Sequence, residues 1–356
     1  MTSTTVPRFR PADLVALAEA LFRTAGLDAE KAAVTAELLV EADLLGHDTH
    51  GLALLVPYLE EIRKGRLART GEPRILADAP AALLWDGQYL PGLWLTARAV
   101  DLACERAARL GTASVVIRRS GHIGCLAVFL RRATARGQVV LVASSDPSVA
   151  TVAPHGGRSA VFTPDPIAVG LPTPADPILV DISASITTNA MSARLAREGR
   201  RGPAAWWIDA EGRASDDPRT VEADPPGAIL PVGGLDHGHK GTGLALVIEG
   251  LTQGLGGFGR VEAPSTWGAA VLVQAWDPAL FAGLEAFTRQ TGELAARVRA
   301  SPPRPGVQAV RVPGDQAAAR RRAGLERGLV LAPAILAALE REARAAGLAP
   351  PAPIAG

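Results

Sequence analysis

Hydrophobic positions recur at helical spacing through the first part of the chain. Residues 12–45 predict two amphipathic helices, of which the first ends at Gly26 and the second begins after the capping residue Asp28. Three leucines and an isoleucine over 52–62 repeat this spacing and predict a third helix that ends at Gly65. The chain therefore opens with a helical segment.

The centre of the chain alternates between helical and strand patterns. Residues 94–110 predict a helix, 113–117 predict a buried strand and 139–143 predict another strand. Between these strands, a loop at 118–121 leads to His122, which we place at the start of a further helix. A unit of strand, loop, helix and strand binds ligands at the carboxyl end of its first strand.

The later hydrophobic patterns predict strands that are separated by glycine- and proline-rich connections. Apolar runs at 166–172 and 177–183 predict two strands, and Asp181 lies near the end of the second, where a partly buried carboxylate needs a partner. Residues 268–276 predict a further strand that is followed directly by a long helix. The segment RVPGD at 311–315 leads into two closing helices.

A glycine-rich stretch at 233–257 leads through Lys240 into a helix. Free backbone amides at a helix start, together with a lysine, favour an anion such as a phosphate. A plain loop with a solvated lysine is the alternative. Gly254, Gly256 and Gly259 satisfy the spacing GxGxxG, but they end a helix instead of joining a strand to a helix, so we reject this match to the Rossmann fingerprint.

Composition and charge narrow the class of protein. With 356 residues the chain can bury the core of one large or two medium domains, and no flexible linker marks an independent domain. Lysine plus arginine number 37 against 36 aspartate plus glutamate, so no net field selects nucleic acid or an anionic membrane. No apolar run reaches the length of a membrane span, and only two cysteines predict a reducing cytoplasm. The expected partner is a small molecule.

The segment GHDTHG carries the first candidate chemistry. His47 and His50 flank Asp48 and Thr49 where a helical pattern gives way to Gly51. Imidazole exchanges protons near neutral pH, so a histidine at this position is a candidate proton carrier. From these residues alone, a surface turn in which Asp48 and Thr49 cap the next helix is the alternative.

Eight segments occur in an order and at a spacing typical of one family: GHDTHG, RRSGHIG, SSDP, APHGG, IAVGLPT, LVDIS, GGLDHGHKGTGLAL and RVPGD. Through them the chain resembles the second type of malate/L-lactate dehydrogenase, from about residue 10 to about residue 345. Members of that family include ureidoglycolate dehydrogenase, sulfolactate dehydrogenase, 2,3-diketogulonate reductase and the Δ1-piperideine-2-carboxylate reductases.

The resemblance implies an α+β fold in which a mixed, largely antiparallel sheet with flanking helices binds NAD or NADP without a Rossmann domain. It also implies hydride transfer between that cofactor and a 2-oxo acid, a 2-hydroxy acid or a cyclic imine, carried out by a homodimer. Residues 1–120 together with 305–356 are expected to form a helical lobe for substrate and dimer contacts, and 121–304 a cofactor-binding lobe.

Site residues follow from the resemblance position by position. His50 matches the family's active-site histidine, with Thr49 in place of a serine, and His122 matches the histidine of the second motif, so both compete for the acid/base role. A carboxylate, from Asp181 or Asp48, is expected to hold the ring in one tautomer and to raise its pKa. The implied cofactor contacts are Ser145, Asp181, Ile182, Ser183, Lys240, Gly241, Pro313, Gly314 and Asp315.

One departure from the family pattern concerns the substrate. The family's usual arginine, four residues after the first-motif histidine, is Leu54 here, and leucine cannot pair with a substrate carboxylate. Either Arg118, Arg119 or Arg194 takes over the acid group, or the substrate is a cyclic imine or another intermediate without the usual carboxylate contact. The expected substrate contacts are Thr49, Arg118 and Ser120.

Two further function classes stay open. A metal-dependent hydrolase would combine His47 and His50 with His237 and His239, although a catalytic zinc site needs its third ligand brought there by the fold. A non-catalytic family member would keep only its dimer or its cofactor binding. Outside the hydrolase alternative, we expect no metal ion.

Overall fold

The computed structural model describes residues 7–354 and contains helices and two sheets. The helices are α1 (Pro11–Thr24), α2 (Ala29–Leu45), α3 (Leu55–Arg63), α4 (Gly92–Leu110), α5 (Ala127–Thr134), α6 (Asn189–Arg197), α7 (Gly234–His237), α8 (His239–Glu249), α9 (Leu284–Ala300), α10 (Asp315–Arg327) and α11 (Pro333–Ala345). The strands are β1 (Arg74–Ala79), β2 (Ala82–Asp86), β3 (Thr112–Ser120), β4 (Val139–Ser145), β5 (Pro166–Leu171), β6 (Ile178–Ser183), β7 (Trp207–Ile208), β8 (Ala214–Ser215), β9 (Ala228–Ile229) and β10 (Ala269–Trp276).

The longer strands form one seven-stranded sheet in the order β1-β2-β3-β10-β4-β5-β6. Strands β2 and β3 are parallel, and the other neighbouring pairs are antiparallel. A separate small sheet has the order β8-β7-β9. The large sheet and its helices confirm the predicted α+β fold with a mixed, largely antiparallel sheet.

Strand β10 lies at the centre of the large sheet although it comes late in the chain. It pairs with β3 on one side and with β4 on the other. Its side chains alternate between two cores, because Val271 and Val273 pack in the main core and Leu272 packs in the second. The structure confirms the strands predicted at 113–117 and 139–143 as parts of β3 and β4. In the sheet, however, β10 lies between them.

Two hydrophobic cores cover the faces of the large sheet. The main core packs the N-terminal helices and α11 against one face, and the second core packs α8 and the small sheet against the other. Trp94 and Trp207 are the largest fully buried side chains, one in each core. Within residues 7–354, no helix is long and apolar enough to cross a membrane. The predicted division into two lobes stays a prediction.

The loop after α2 is held at both ends. Gly46 adopts a left-handed conformation, with a φ of +88°, and ends the helix directly before His47. At the far end of the loop, the Asp43 carboxylate accepts a hydrogen bond from the Leu52 N–H at 2.8 Å. A Cβ at Gly51 would collide with that carboxylate, so glycine is required there. The GHDTHG segment thus has a fixed backbone.

The segment around the second histidine differs from the prediction. Strand β3 continues to Ser120, so the loop expected at 118–121 is mostly strand. His122 does not begin a helix, and α5 starts only five residues later. The reason is that the Gly121 N–H donates to the Leu90 carbonyl at 2.9 Å, which ties this segment to the chain that leads into α4.

Three helical features of the second half also differ from the predictions. Helix α6 begins at the capping residue Thr188, whose hydroxyl accepts from the Met191 N–H at 3.1 Å. The helix after β10 begins at Leu284, because a short 3₁₀ turn at Pro278–Leu280 comes first. Lys240 lies inside the first turn of α8 and not in a preceding loop.

Candidate active site

An open cavity of about 1200 Å³ brings together predicted site residues from distant parts of the chain. Its wall is formed by the loop after α2, the segment before α5, the carboxyl ends of β4 and β6, and helix α6. The predicted site residues on this wall are Thr49, His50, His122, Ser145, Asp181, Ile182 and Ser183.

His50 lies in the fixed loop after α2. Its Nδ1 is 2.8 Å from the Oγ1 of Thr49, so Nε2 is the ring nitrogen left for a ligand. Its ring centroid is 6.4 Å from that of His122, and the two ring planes are inclined by 28°. The two imidazoles therefore border the same part of the cavity.

His122 is held by two aromatic side chains. The Tyr58 hydroxyl lies 2.8 Å from its Nδ1, and the Trp267 ring stacks on the imidazole at a centroid distance of 4.5 Å. We call His50, His122 and Trp267, which line the cavity, the histidine wall, and Tyr58 supports it from outside the cavity lining. Sequence reasoning missed Tyr58 and Trp267, because nothing local distinguishes them from other buried aromatic residues.

Burial makes both imidazoles weak bases. It lowers the pKa of His50 to about 4, and the neighbouring His47 adds to the decrease. It lowers the pKa of His122 to about 3, with a further contribution from His50. The expected increase in pKa is therefore wrong. The ring nitrogens contact hydroxyl groups, whereas Asp48 pairs with Arg194.

Asp181 lies near the end of β6, against the start of α5. Its Oδ2 accepts a hydrogen bond from the Ala127 N–H at 2.9 Å and lies 3.5 Å from the Cys125 sulfur. Burial raises the pKa of Asp181, and the nearby His47 opposes this increase. The helix N-terminus thus supplies the partner that a buried carboxylate requires.

Two predicted serines line the cavity with their hydroxyl groups oriented. Ser145 ends β4, and its Oγ lies 2.7 Å from the Thr252 hydroxyl and accepts from the Gln253 amide at 3.0 Å. Ser183 ends β6, and its hydroxyl donates to the Ser185 carbonyl at 2.9 Å. Both side chains have fixed directions and border the cavity.

Helix α6 and the residues after it add positive charge to the wall. Arg194 lies 3.0 Å from Asp48 and 3.0 Å from Glu198, and Arg200 and Arg201 follow in the chain. The Arg194 side chain is 37% exposed, and those of Arg200 and Arg201 are 65% and 61% exposed. We call these three arginines the arginine wall. Sequence reasoning considered only the first, although the adjacent pair was visible in the sequence.

The other two candidate arginines lie elsewhere. Arg118 and Arg119 bind the buried Asp86 carboxylate at 3.2 and 2.5 Å, and neither belongs to the cavity wall. Ser120 is fully buried and donates to the next carbonyl along the chain at 2.8 Å. Their contact with substrate stays a prediction. Leu54, in contrast, does line the cavity.

The segment at the start of α8 lies outside the cavity wall. Lys240 is exposed, and the Gly241 N–H donates to the Val232 carbonyl at 3.1 Å, so this amide is already used. The rings of His237 and His239 lie 6.1 Å apart in the same segment, also outside the wall. The phosphate contact stays a prediction, and the fold does not bring His237 and His239 to the histidine wall.

The late loop packs against the beginning of β6. The Pro313 carbonyl accepts from the Leu179 N–H at 3.1 Å, and Gly314 has a φ of +101° where it caps α10. The Arg299 guanidinium, 2.6 Å from Asp315, lowers the pKa of that carboxyl. These three predicted cofactor residues do not line the cavity, and their cofactor contact stays a prediction.

Comparison with known proteins relates this chain to a set of dehydrogenases and reductases. The malate/L-lactate dehydrogenase family matches residues 9–340. An L-lactate dehydrogenase from Cupriavidus necator is 34% identical over 329 residues, which cover 89% of this chain and 91% of that protein. A Delta(1)-pyrroline-2-carboxylate/Delta(1)-piperideine-2-carboxylate reductase from Pseudomonas syringae pv. tomato is 31% identical over 341 residues, which cover 92% and 94%.

A solved structure agrees in fold. The malate dehydrogenase of Entamoeba histolytica superposes with a TM-score of 0.92, over 97% of this chain and 99% of that one, at 21% identity. Because so low an identity supports the fold alone, the family assignment rests on the sequence matches, which confirm the resemblance carried by the eight segments. The chain belongs to the malate/L-lactate dehydrogenase family.

Proposed function

We propose that this chain is an NAD(P)-dependent dehydrogenase or reductase whose active site is the cavity lined by the histidine wall and the arginine wall. Family membership confirms the predicted enzyme class, an oxidoreductase that transfers a hydride. One observation carries the site: two imidazoles 6.4 Å apart and three arginines line one cavity of about 1200 Å³. Imidazoles suit proton transfer and arginines suit a carboxylate, and 2-hydroxy acid chemistry needs both.

The residues present fit a dinucleotide. The cavity exceeds the range of roughly 300 to 1000 Å³ that is typical of small-ligand pockets, which leaves room for cofactor and substrate together. The first backbone amides of α6, ahead of Met191, offer donors, and Arg200 and Arg201 offer positive charge for phosphates. These residues would hold the cofactor. When bound, its nicotinamide supplies or accepts the hydride.

His50 is the proposed proton carrier. Oxidation of a hydroxy acid needs a neutral base at the hydroxyl group, and the lowered pKa of about 4 keeps His50 neutral at pH 7. In the reverse direction the same nitrogen, Nε2, donates a proton to the carbonyl oxygen. The negative charge of a bound carboxylate favours the protonated ring in that direction. His122, positioned by Tyr58 and Trp267, would hydrogen-bond the same substrate oxygen.

Arg194 is the proposed partner of the substrate carboxylate. Unlike Arg118 and Arg119, it lines the cavity. Its guanidinium pairs with Asp48 through Nη1 and with Glu198 through Nε, at 3.0 Å each, and the N–H groups of Nη2 would bind the substrate carboxylate. In this proposal, Arg194 replaces the arginine that the family usually has at the position of Leu54.

A cyclic imine is the second candidate substrate. Leu54 gives the cavity an apolar surface that would pack against ring methylene groups. The relative from Pseudomonas syringae is named as a reductase of two such compounds. In this reaction His50 would give its proton to nitrogen instead of oxygen.

A substrate screen tests the proposal. Pyruvate, 2-oxosuccinate and piperideine-2-carboxylate would be offered with NADH and with NADPH. We expect the oxo acids to be reduced fastest, and faster turnover of the cyclic compound would favour the second candidate. In a third outcome, fluorescence titration shows that both nucleotides bind while no compound is turned over. That result would contradict the proposed enzymatic activity and favour a non-catalytic family member.

We further propose a homodimer in a reducing cytoplasm. Apolar side chains along α8 and the turns after it are 54% to 95% exposed, namely Leu246, Val247, Leu255 and Val261. Cys104 and Cys125 are both free thiols, as a reducing compartment allows. Light scattering after size-exclusion chromatography tests the dimer. We expect a dimer mass that Val247→Lys lowers, and a monomeric parent protein would contradict the proposal.

A further inference from the structure

A second cluster of chemistry-bearing side chains lies on the cavity wall, and the proposed proton transfer does not use it. His47, Cys125 and Asp181 each offer one ligand atom, and the three atoms lie within 4.8 Å of one another. All three residues line the cavity. They come from the loop after α2, the segment before α5 and the end of β6, so only the fold brings them together.

The donor types suit a divalent cation of borderline softness. Imidazole nitrogen, thiolate sulfur and carboxylate oxygen are the ligands of Zn²⁺, which in open sites takes three protein ligands and leaves the fourth position accessible. Here the remaining side of the cluster faces the cavity. We propose that His47, Cys125 and Asp181 form a three-ligand zinc site on the cavity wall.

The distances in the cluster agree with tetrahedral coordination. With bonds of about 2.0 to 2.3 Å to the metal, neighbouring ligand atoms lie about 3.3 to 3.6 Å apart. The Cys125 sulfur and the Asp181 Oδ2 are 3.5 Å apart, so this pair needs no rearrangement. The His47 nitrogen lies within 4.8 Å of the sulfur and of a carboxylate oxygen of Asp181, so a ring movement on the order of 1 Å completes the site.

The surroundings orient two of the three ligands. The Ala127 N–H donates to the Asp181 carboxylate at 2.9 Å, and such bonds to a ligand favour metal binding. Cys125 is only 4% exposed, and its sulfur is directed at that carboxylate. A bound divalent cation would take the Cys125 sulfur as a thiolate and release its proton.

Occupation of the site is expected to inhibit the enzyme. Asp181 precedes Ile182 and Ser183 on the wall, and His47 is three residues before His50. A cation here would take up cavity volume and would oppose protonation of the proposed proton carrier. This consequence rests on the proposed function, whereas metal binding itself does not.

Titration of the full-length protein with Co²⁺ tests the site without turnover, because a thiolate ligand gives Co²⁺ a charge-transfer absorption in the near ultraviolet. We expect one equivalent of Co²⁺ to produce this band. Cys125→Ser should remove it, and Cys104→Ser, the matched change at the other buried cysteine, should retain it. Absence of the band in the parent protein, or its persistence in Cys125→Ser, would overturn the site.

A second variant keeps the test decisive if Cys125→Ser fails to fold. His47 is only partly buried, and His47→Gln retains the thiol and the carboxylate. We expect Co²⁺ to bind this variant at least about tenfold more weakly, as loss of one ligand implies. An unchanged affinity would contradict the proposal.

Inhibition by Zn²⁺ provides the functional readout. The concentration that halves turnover should be at least about tenfold lower for the parent enzyme than for Cys125→Ser, and a chelator should restore activity. Equal inhibition of both proteins would refute the inhibitory role. A protein that shows the cobalt band but turns over no substrate would refute the proposed function and leave the zinc site standing.

Discussion

The histidine wall and the arginine wall line the same cavity but are built in opposite ways. The imidazoles are held by Tyr58 and Trp267 and by a threonine hydroxyl, and burial lowers the pKa of His50 to about 4 and of His122 to about 3. The arginines are 37% to 65% exposed and keep their charge. Burial and packing therefore position the proton carrier, whereas the exposed arginines can exchange their ion-pair partners for a charged ligand.

The two walls also differ in what it costs to move them. An exposed ion pair such as Arg194 with Asp48 contributes only about 0 to 1 kcal/mol, so the guanidinium can turn to a substrate carboxylate at little cost. Displacing His122 would break its contact with Tyr58 and its stacking on Trp267. We therefore expect the histidine wall to respond to substitution and acid, and the arginine wall to respond to charge and salt.

The largest effect should come from His50→Ala. Loss of a positioned acid or base typically costs about 10²- to 10⁴-fold, so kcat should fall by that factor while nucleotide affinity stays the same. Initial rates and fluorescence titration measure the two quantities. His155→Ala, a change at an exposed histidine outside the cavity, serves as the control and should leave both unchanged. Parental turnover in His50→Ala would remove this residue from the chemistry.

The next largest effect should come from Arg194→Ala. A charge-assisted hydrogen bond contributes about 1.5 to 3 kcal/mol, so KM for a 2-oxo acid should rise by roughly 10- to 100-fold. The kcat should change less, because the carboxylate is bound in both ground and transition states. Arg197→Ala, on the same helix but outside the cavity wall, is the matched control. An unchanged KM in Arg194→Ala would assign the carboxylate to another group.

A smaller effect should appear in stability at low pH. The pKa of His122 is lowered from 6.5 to about 3, so the folded protein binds this proton less readily than the unfolded chain does. Its contribution to stability is complete above about pH 6.5 and is lost as the pH falls towards 3, by at most about 1.4 kcal/mol per pH unit. Denaturant unfolding at about pH 7 and about pH 5 measures the loss.

The matched variant for this measurement is His122→Asn, which removes the titrating ring. We expect its free energy of unfolding to decrease less between the two pH values than that of the parent protein. Equal decreases in both proteins would show that the acid sensitivity does not come from His122. Arg197→Ala should behave like the parent protein, because arginine does not titrate in this range.

The smallest effect should be the dependence on salt. Raising the ionic strength from about 0.05 to about 0.5 M shortens the screening length to a few ångströms and weakens exposed charges. We expect KM for a 2-oxo acid to rise by a factor of roughly two to five with little change in kcat. Steady-state assays in NaCl and in KCl measure this. Arg194→Ala should lose most of the dependence, and an equal dependence in that variant would contradict a role of its charge.

The fold and part of the site could be predicted from the sequence. Helical spacing marked the N-terminal helices, and the ordered segments identified a family whose fold the structure confirms. The same segments contain His50, His122 and Asp181, and all three residues line the cavity. Tyr58, Trp267 and Cys125 were not predicted, because their contacts with these residues cross the chain and leave no local spacing to recognise.

The amino-acid sequence by itself determined which residues favour helix, strand and turn, and which side chains can move a proton or hold an anion, because these properties depend on near neighbours and side-chain chemistry. Only the tertiary structure decided the protonation of His50 and His122, because their pKa values depend on burial by the whole fold. It also decided that Arg194, and neither Arg118 nor Arg119, borders the cavity. That choice follows from packing between distant segments, which the sequence order does not contain.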